Sequence, residues 1–342
     1  MKGGKLVEWN EIRQRARERL QGYCRVCPQC DGRACAGEVP GFGGVGTGSS
    51  FRANYEALAQ WKLNLRTVHG ARDADPALQL FGCKLATPIL GAPIAGAQTN
   101  LGGVMSDAEL TAALLEGCSL AGTMGMAGHV GEIALEEIKR QSGRGIMIFK
   151  PLEQEKIIAW GRKVAEGGAV AFGIDIDGAG LINMRLLGVH VEPKTPAQLK
   201  ELVEDIPLPF ILKGIMTPDE AELAVEAGAA AIVVSNHGGR VLDHTPGVAQ
   251  VLPAIARRVK GKITILADGA VRTGVDVLKM LALGADAVLV GRPLIVAAVG
   301  GGAAGVKLHL ERMTGELIQA MIMTGCKTLE DIGPRLLYRE EI

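Results

Sequence analysis

Between residues 87 and 293, a short β-rich apolar run ending in Gly, Asp, Lys, Asn or Arg recurs about eight times, and a helical pattern follows each. The runs are 88–95, 120–126, 145–150, 171–176, 209–214, 231–236, 263–269 and 287–293. They are continuous rather than alternating, as strands covered on both faces must be. Strands alternating with helices at spacings of about 22–38 residues imply a parallel sheet, and eight such units imply closure. The expected fold is therefore α/β, a (β/α)8 TIM barrel; a doubly wound open sheet is the alternative. The chain has 342 residues, 48% hydrophobic, enough for a large core. Its 47 glycines and 4% aromatics suit many tight turns around an aliphatic interior.

Helix signals fill the gaps. Ser106 with Glu109, Thr195 with Gln198 and Thr217 with Glu220 each fit a capping box. Pro196 and Pro218 take first-turn positions, and Gly117 and Gly228 stand where helices should stop. Residues 1–86 differ. Trp9, Ile12, Ala16 and Leu20 mark an amphipathic helix, followed by a cysteine cluster and a Gly-rich stretch at 41–48. We read 1–86 as a small helical, cysteine-containing cap on a barrel spanning 87–342.

Equal numbers of basic and acidic side chains, 37 each, argue against a nucleic-acid partner. Residues 1–20 lack the apolar core of a secretion signal. The longest apolar candidate for a membrane span, 294–306, is short and broken by glycines. A cytoplasmic location, no membrane span and reduced cysteines are expected.

Active sites of such barrels lie at the C-terminal strand ends. Ser235-Asn236-His237-Gly238-Gly239-Arg240 follows the sixth run. It sets a proton acceptor three residues from a fixed cation, and two glycines between them allow close ligand approach. A base beside a carboxylate-binding cation is what oxidation of a 2-hydroxy acid needs. Lys213 ends the fifth run, where a buried ammonium requires an anionic partner. Asp268-Gly269-Ala270-Val271-Arg272 and Gly291-Arg292-Pro293 follow the seventh and eighth, where such barrels often bind phosphate.

These segments resemble the FMN-dependent 2-hydroxy acid oxidase and dehydrogenase family, which includes glycolate and lactate oxidases. The hexapeptide with Leu242-Asp243 carries the likeness. So do Lys213-Gly214, Asp268-Gly269, Val271-Arg272, 282–285, Gly291-Arg292-Pro293, 305–307 and 324–326, in the same order. The resemblance implies an FMN barrel. Pro93, Ile94 and Ala95 would lie at the flavin's reactive edge, Lys213 at its N1/O2 end and Ser235 on the ring. Asp268, Gly269, Ala270, Arg272, Gly291 and Arg292 would hold the ribityl chain and phosphate. His237 would take the hydroxyl proton, and Arg240 would clamp the carboxylate. Lys150 stands where the family has a flavin-contacting Gln; Gly125 and Gly173 stand where it has hydroxyl residues. Residues 24–37 replace a segment bearing one family tyrosine, and Phe149-Lys150-Pro151-Leu152 lacks the other.

The expected substrate is a small 2-hydroxy acid, with dioxygen, a quinone or a protein as electron acceptor. By resemblance the chain would form a homo-oligomer, a tetramer. The alternatives are an FMN-dependent isomerase and a peptide- or partner-dependent flavoprotein. Cys24, Cys27, Cys30 and Cys35 form C-x2-C-x2-C-x4-C. They either ligate an iron–sulfur cluster or zinc, or remain thiols near the site. Cys83, Cys118 and Cys326 read as core residues, His129 as a residue that could line the site, and Asp175 and Asp177 as loop-orienting carboxylates.

Overall fold

The computed structural model describes residues 2–338. Three short strands, β1 (Lys62–Leu63), β2 (Leu78–Leu80) and β3 (Cys83–Leu85), precede the barrel. The barrel strands are β4 (Ile89–Ile94), β5 (Gly125–Ala127), β6 (Gly145–Phe149), β7 (Ala171–Asp175), β8 (Phe210–Ile215), β9 (Ala231–Val234), β10 (Thr264–Ala267) and β11 (Ala287–Val290). They pair in sequence order, all parallel, and β11 returns to β4 to close the barrel. A last strand, β12 (Leu337–Tyr338), pairs antiparallel with β1, tying the end of the described chain to residues before the barrel. Each of the eight runs holds one barrel strand. The second run starts too early, because the helix Asp107–Leu120 takes its first residue.

Strand side chains alternate between faces. Leu90, Met126, Ile146, Ile148, Ile211, Val233, Leu266 and Leu289 form the barrel interior. Leu80 and Leu85 of the β2–β3 hairpin join that cluster beside the strand starts Ala171, Ala231 and Ala287. The outward set, including Phe149, Phe172 and Phe210, is buried beneath the helices. Continuing the inward phase by one residue pair places Lys150, Asp175, Lys213, Ser235, Asp268 and Gly291 in the topmost layer. The pleat therefore selects the polar residues that face the mouth.

The capping boxes at Ser106 and Thr195 form as expected. Thr217 precedes its helix but its side chain makes no cap bond. Gly117 does not stop its helix. A Cβ there would lie 2.5 Å from Val306 Cβ, so the glycine permits close approach to the helix Arg292–Thr324. That last helix is long and apolar enough to cross a membrane by composition. It breaks at Gly302 and packs as the barrel's final helix, half buried within the protein. Trp9, Ile12, Ala16 and Leu20 are buried as the amphipathic pattern requires. A Cβ on Gly300 would meet Ile12 O at 2.1 Å, so the first and last helices meet backbone to backbone.

Candidate active site

The strand tops build a charge network around one carboxylate. Asp175 ends β7 and is buried. Its Oδ1 accepts from Lys213 Nζ at 3.1 Å, and its Oδ2 from Lys150 Nζ at 2.6 Å. Lys150 directly follows β6, Asp175 ends β7, and Lys213 sits in β8 in register with Asp175, so neighbouring strands bring the charges together. Burial alone would raise the Asp175 carboxyl, but His237, Lys150 and Lys213 hold it well below the usual range. Burial alone would lower Lys213, yet Asp175, Asp177 and Asp268 keep it above its ordinary value.

His237 Nδ1 lies 3.1 Å from Asp177 Oδ1 and 3.3 Å from Asp175 Oδ1. An ionised carboxylate accepts only, so Nδ1 is the ring nitrogen that donates to the two aspartates. Burial first, and Asp175 second, raise the Asp177 carboxyl to about 6. Asp177 tucks against Gly214, where a Cβ would come 2.7 Å from its Cγ. His237, Gly238 and Gly239 are consecutive left-handed residues. For His237 that backbone costs about 1–2 kcal/mol, and its surroundings hold it there. Ser235 Oγ accepts the His237 N–H at 3.1 Å and donates to Asp268 Oδ2 at 2.7 Å. Asn236 accepts from Asn54 Nδ2 at 2.7 Å and donates to Thr245 and Pro246.

The loop after β9 is tied to the N-terminal part. Asp243 accepts from the backbone and hydroxyls of Thr47 and Ser49 at 2.6–3.0 Å. Those bonds depress its carboxyl far below the ordinary range against the opposing effect of burial. Arg240 donates to Gly41 O and, at 2.9 Å, to Asn100 Oδ1. Among the described residues no carboxylate pairs with Arg240. Burial, then Arg292, lowers its guanidinium to about 9. An unpaired buried cation calls for an anion.

A cavity of about 490 Å³ opens above this layer. Pro93, Ile94, Ala95, Lys150, Lys213, His237, Arg240, Asp268, Gly269, Ala270, Arg272, Gly291 and Arg292 all line it. His129 lines it too, with a ring lowered to about 4 by burial and then by Lys150. Ser235 sits just beneath, bonded to Asp268.

The structure corrects several expectations. Gly125 falls on the outward pleat phase, between inward Met124 and Met126. A Cβ there would meet Leu115 at 2.8 Å, so it serves helix packing instead of the mouth. Gly173 faces inward but one layer below Asp175; a Cβ would lie 2.3 Å from Ile211 O. Gly41 and Phe42 line this cavity, whereas the cysteine segment from Cys24 to Cys35 lines a neighbouring one. Asp175 and Asp177 carry more than a loop-orienting role, since both reach His237. Their signal was the inward phase of β7, and for Asp177 a return of the following turn. Asn100 and Asn183, which meet at 3.0 Å beside Arg240, had no sequence signal.

A closed parallel barrel thus gathers a carboxylate-backed histidine, a buried lysine and the arginines of its seventh and eighth loops at one mouth. The family model for FMN-dependent dehydrogenases matches residues 42–185 and 183–339. The chain belongs to the FMN-dependent dehydrogenase family. It is 50% identical over 132 residues to an L-lactate dehydrogenase of Pseudomonas paraeruginosa, covering 39% of this chain and 35% of that one. It is 46% identical over 140 residues to a 2-hydroxyacid oxidase of Dictyostelium discoideum, covering 41% and 36%. The match thus spans about a third of the length of these curated relatives. The fold is also similar to mandelate oxidase with (S)-2-phenylpropionate, at 30% identity and a TM-score of 0.81, covering 96% of this chain and 97% of that one.

The residues present fit the family's cofactor, FMN. Asp268 Oδ1 and Arg272 Nε are buried without a partner, an acceptor and a donor available to a ribityl hydroxyl and a phosphate. A Cβ on Gly291 would have only Ala92 within 4 Å, so the backbone there is open to a ligand. Arg292 stacks 3.8 Å over Phe51 and donates to the carbonyls of Phe42, Gly43 and Gly238. Its fork holds the Phe42–Gly43 loop and the His237–Gly238 loop together.

Proposed function

We propose that the protein oxidises a small 2-hydroxy acid to the 2-oxo acid. The observation that carries this reading is the pairing of His237 Nε2, free as a base, with Arg240, a cation lacking a carboxylate, on one cavity. Bound FMN supplies the two-electron acceptor for the substrate's Cα hydride. Arg240 binds the substrate carboxylate as a fork, with Asn100 fixing the guanidinium plane. His237 Nε2 takes the hydroxyl proton, and Asp175 and Asp177 stabilise the imidazolium at Nδ1. Lys213 and Lys150 keep Asp175 ionised and place positive charge on the floor of the mouth. Leu181, Met184 and Leu187 give the cavity an apolar wall, which suits a hydrophobic substituent on the 2-hydroxy acid.

Anaerobic mixing of the yellow protein with a panel of 2-hydroxy acids tests the proposal. Bleaching of the flavin band by at least one acid is the expected result. No bleaching by any member, with FMN fully bound, would remove it. Reoxidation of bleached protein with dioxygen, a quinone or a one-electron protein acceptor then identifies the acceptor class.

A further inference from the structure

Behind the flavin position lies a second cavity of about 490 Å³, which shares Phe42, Ala270, Arg272 and Arg292 with the first. Cys24, Cys27, Cys30 and Cys35 all line it. We propose that these four cysteines hold an iron–sulfur cluster beside the phosphate end of the FMN site.

The cysteine segment is anchored from outside and turned inward. Arg13 donates to the carbonyls of Val26 and Cys27 at 3.3 and 2.9 Å, and Arg17 to Val26 O at 3.1 Å. Val26 itself is left-handed, at φ 45°. A β-branched residue rarely adopts that backbone. The bend makes the turn between the first two cysteines tight and brings the Val26 N–H to Cys24 Sγ at 3.4 Å. Arg272 Nη2 stands 3.6 Å from Cys30 Sγ. Sulfur atoms that accept N–H donors are a means of tuning a cluster.

The cavity also holds an unexplained group. His309 is 2% exposed, and neither ring nitrogen has a partner. Its ring stacks on Trp9 at 4.4 Å and lines the same cavity. A buried imidazole with two unmet polar atoms is costly unless a ligand meets one of them.

Charge favours an anionic occupant. Arg13, Arg272, Arg292 and Arg312 line the cavity. Four thiolates on a cluster leave net negative charge, which these guanidinium groups balance.

The spacing of the sulfur atoms separates the two ligand classes. Zinc with Zn–S near 2.3 Å needs its sulfurs about 3.8 Å apart. Among the described residues the one set of three potential ligands within 4.8 Å is Asp175, Asp177 and His237, already neutralised by two lysines; the cysteines form none. That argues against zinc. In a four-iron cluster each thiolate takes its own iron, and the sulfurs stand further apart around a shared core.

The inference does not rest on the substrate proposed above. Protein purified without oxygen, and the same protein after reconstitution with ferrous iron and sulfide, is assayed for iron, acid-labile sulfide and zinc. The expected result is about four iron and four sulfide per chain, with a low-temperature electron paramagnetic resonance signal after dithionite. Cys27→Ser and Cys30→Ser should each lose most of the iron while keeping FMN and the circular dichroism of the parent. Background iron and sulfide after reconstitution overturns the proposal. So does one zinc per chain, a disulfide among the four cysteines in freshly isolated protein, or full iron retention in both variants.

Discussion

Asp177 Oδ1 and His237 Nδ1 stand 3.1 Å apart, although 60 positions separate them in the chain. The turn after β7 and the turn after β9 meet only because β8 lies between and Gly214 makes room. His237→Ala removes the base but touches none of the groups fitted to FMN. The variant should stay yellow, and its anaerobic bleaching rate should fall about 10²–10⁴-fold. Loss of the flavin would show instead that His237 is structural.

Asp177 also predicts a pH effect on stability. Its carboxyl is raised from 3.8 to about 6. The folded protein therefore holds the proton more tightly than the unfolded chain, and ionisation of Asp177 weakens the fold. The penalty is absent below about pH 4, grows between pH 4 and 6, and is complete above 6. Asp177→Asn escapes it. Its Tm should exceed the parent's at pH 7.5 and converge with it near pH 4, as followed by thermal melts across that range. A lower Tm at pH 7.5 would contradict the assignment.

Asp175 behaves in the opposite way. It is the shared anion of Lys150 and Lys213, and its removal leaves buried ammonium groups without a partner. Asp175→Asn should lose about 3 kcal/mol or more in urea unfolding at neutral pH. A loss below 1 kcal/mol would mean that water or another carboxylate compensates.

Arg240→Lys keeps the charge but removes the fork. For a 2-hydroxy acid that bleaches the parent protein, KM should rise about 10- to 100-fold, with a smaller change in kcat. Equal falls in kcat and kcat/KM would place the guanidinium's effect on the transition state alone.

Gly125→Ala tests the pleat assignment. The added methyl presses on Leu115, so stability should drop by about 1–3 kcal/mol. FMN per chain should not change, because the residue faces away from the mouth. Reduced flavin content in well-folded variant protein would restore Gly125 to the site.

The barrel is legible because buried parallel strands show as continuous apolar runs, and Lys213, His237 and Arg240 because they stand at or just past the ends of such runs. Gly125 was misplaced by one residue, and in a strand one residue reverses the face. In run 120–126 the glycines at 122 and 125 carry no side chain to mark the face on which they lie. The contacts of Asn100, Asn183 and Asp243 join distant segments through side chains, which no local pattern announces. The spacing of the cysteines does not say which part of the site they adjoin. Their true neighbours, Arg272 and Arg292, are set by how the N-terminal part docks.

The Asp243 bonds have an evolutionary consequence. The floor of the mouth is written into eight strands and cannot change without disturbing the core. The wall above it is a separate stretch of chain, moored to the floor at a few points, chief among them one carboxylate. Selection can rewrite that wall while the charged floor persists. Enzymes descended from one such barrel can thus exchange clientele faster than chemistry.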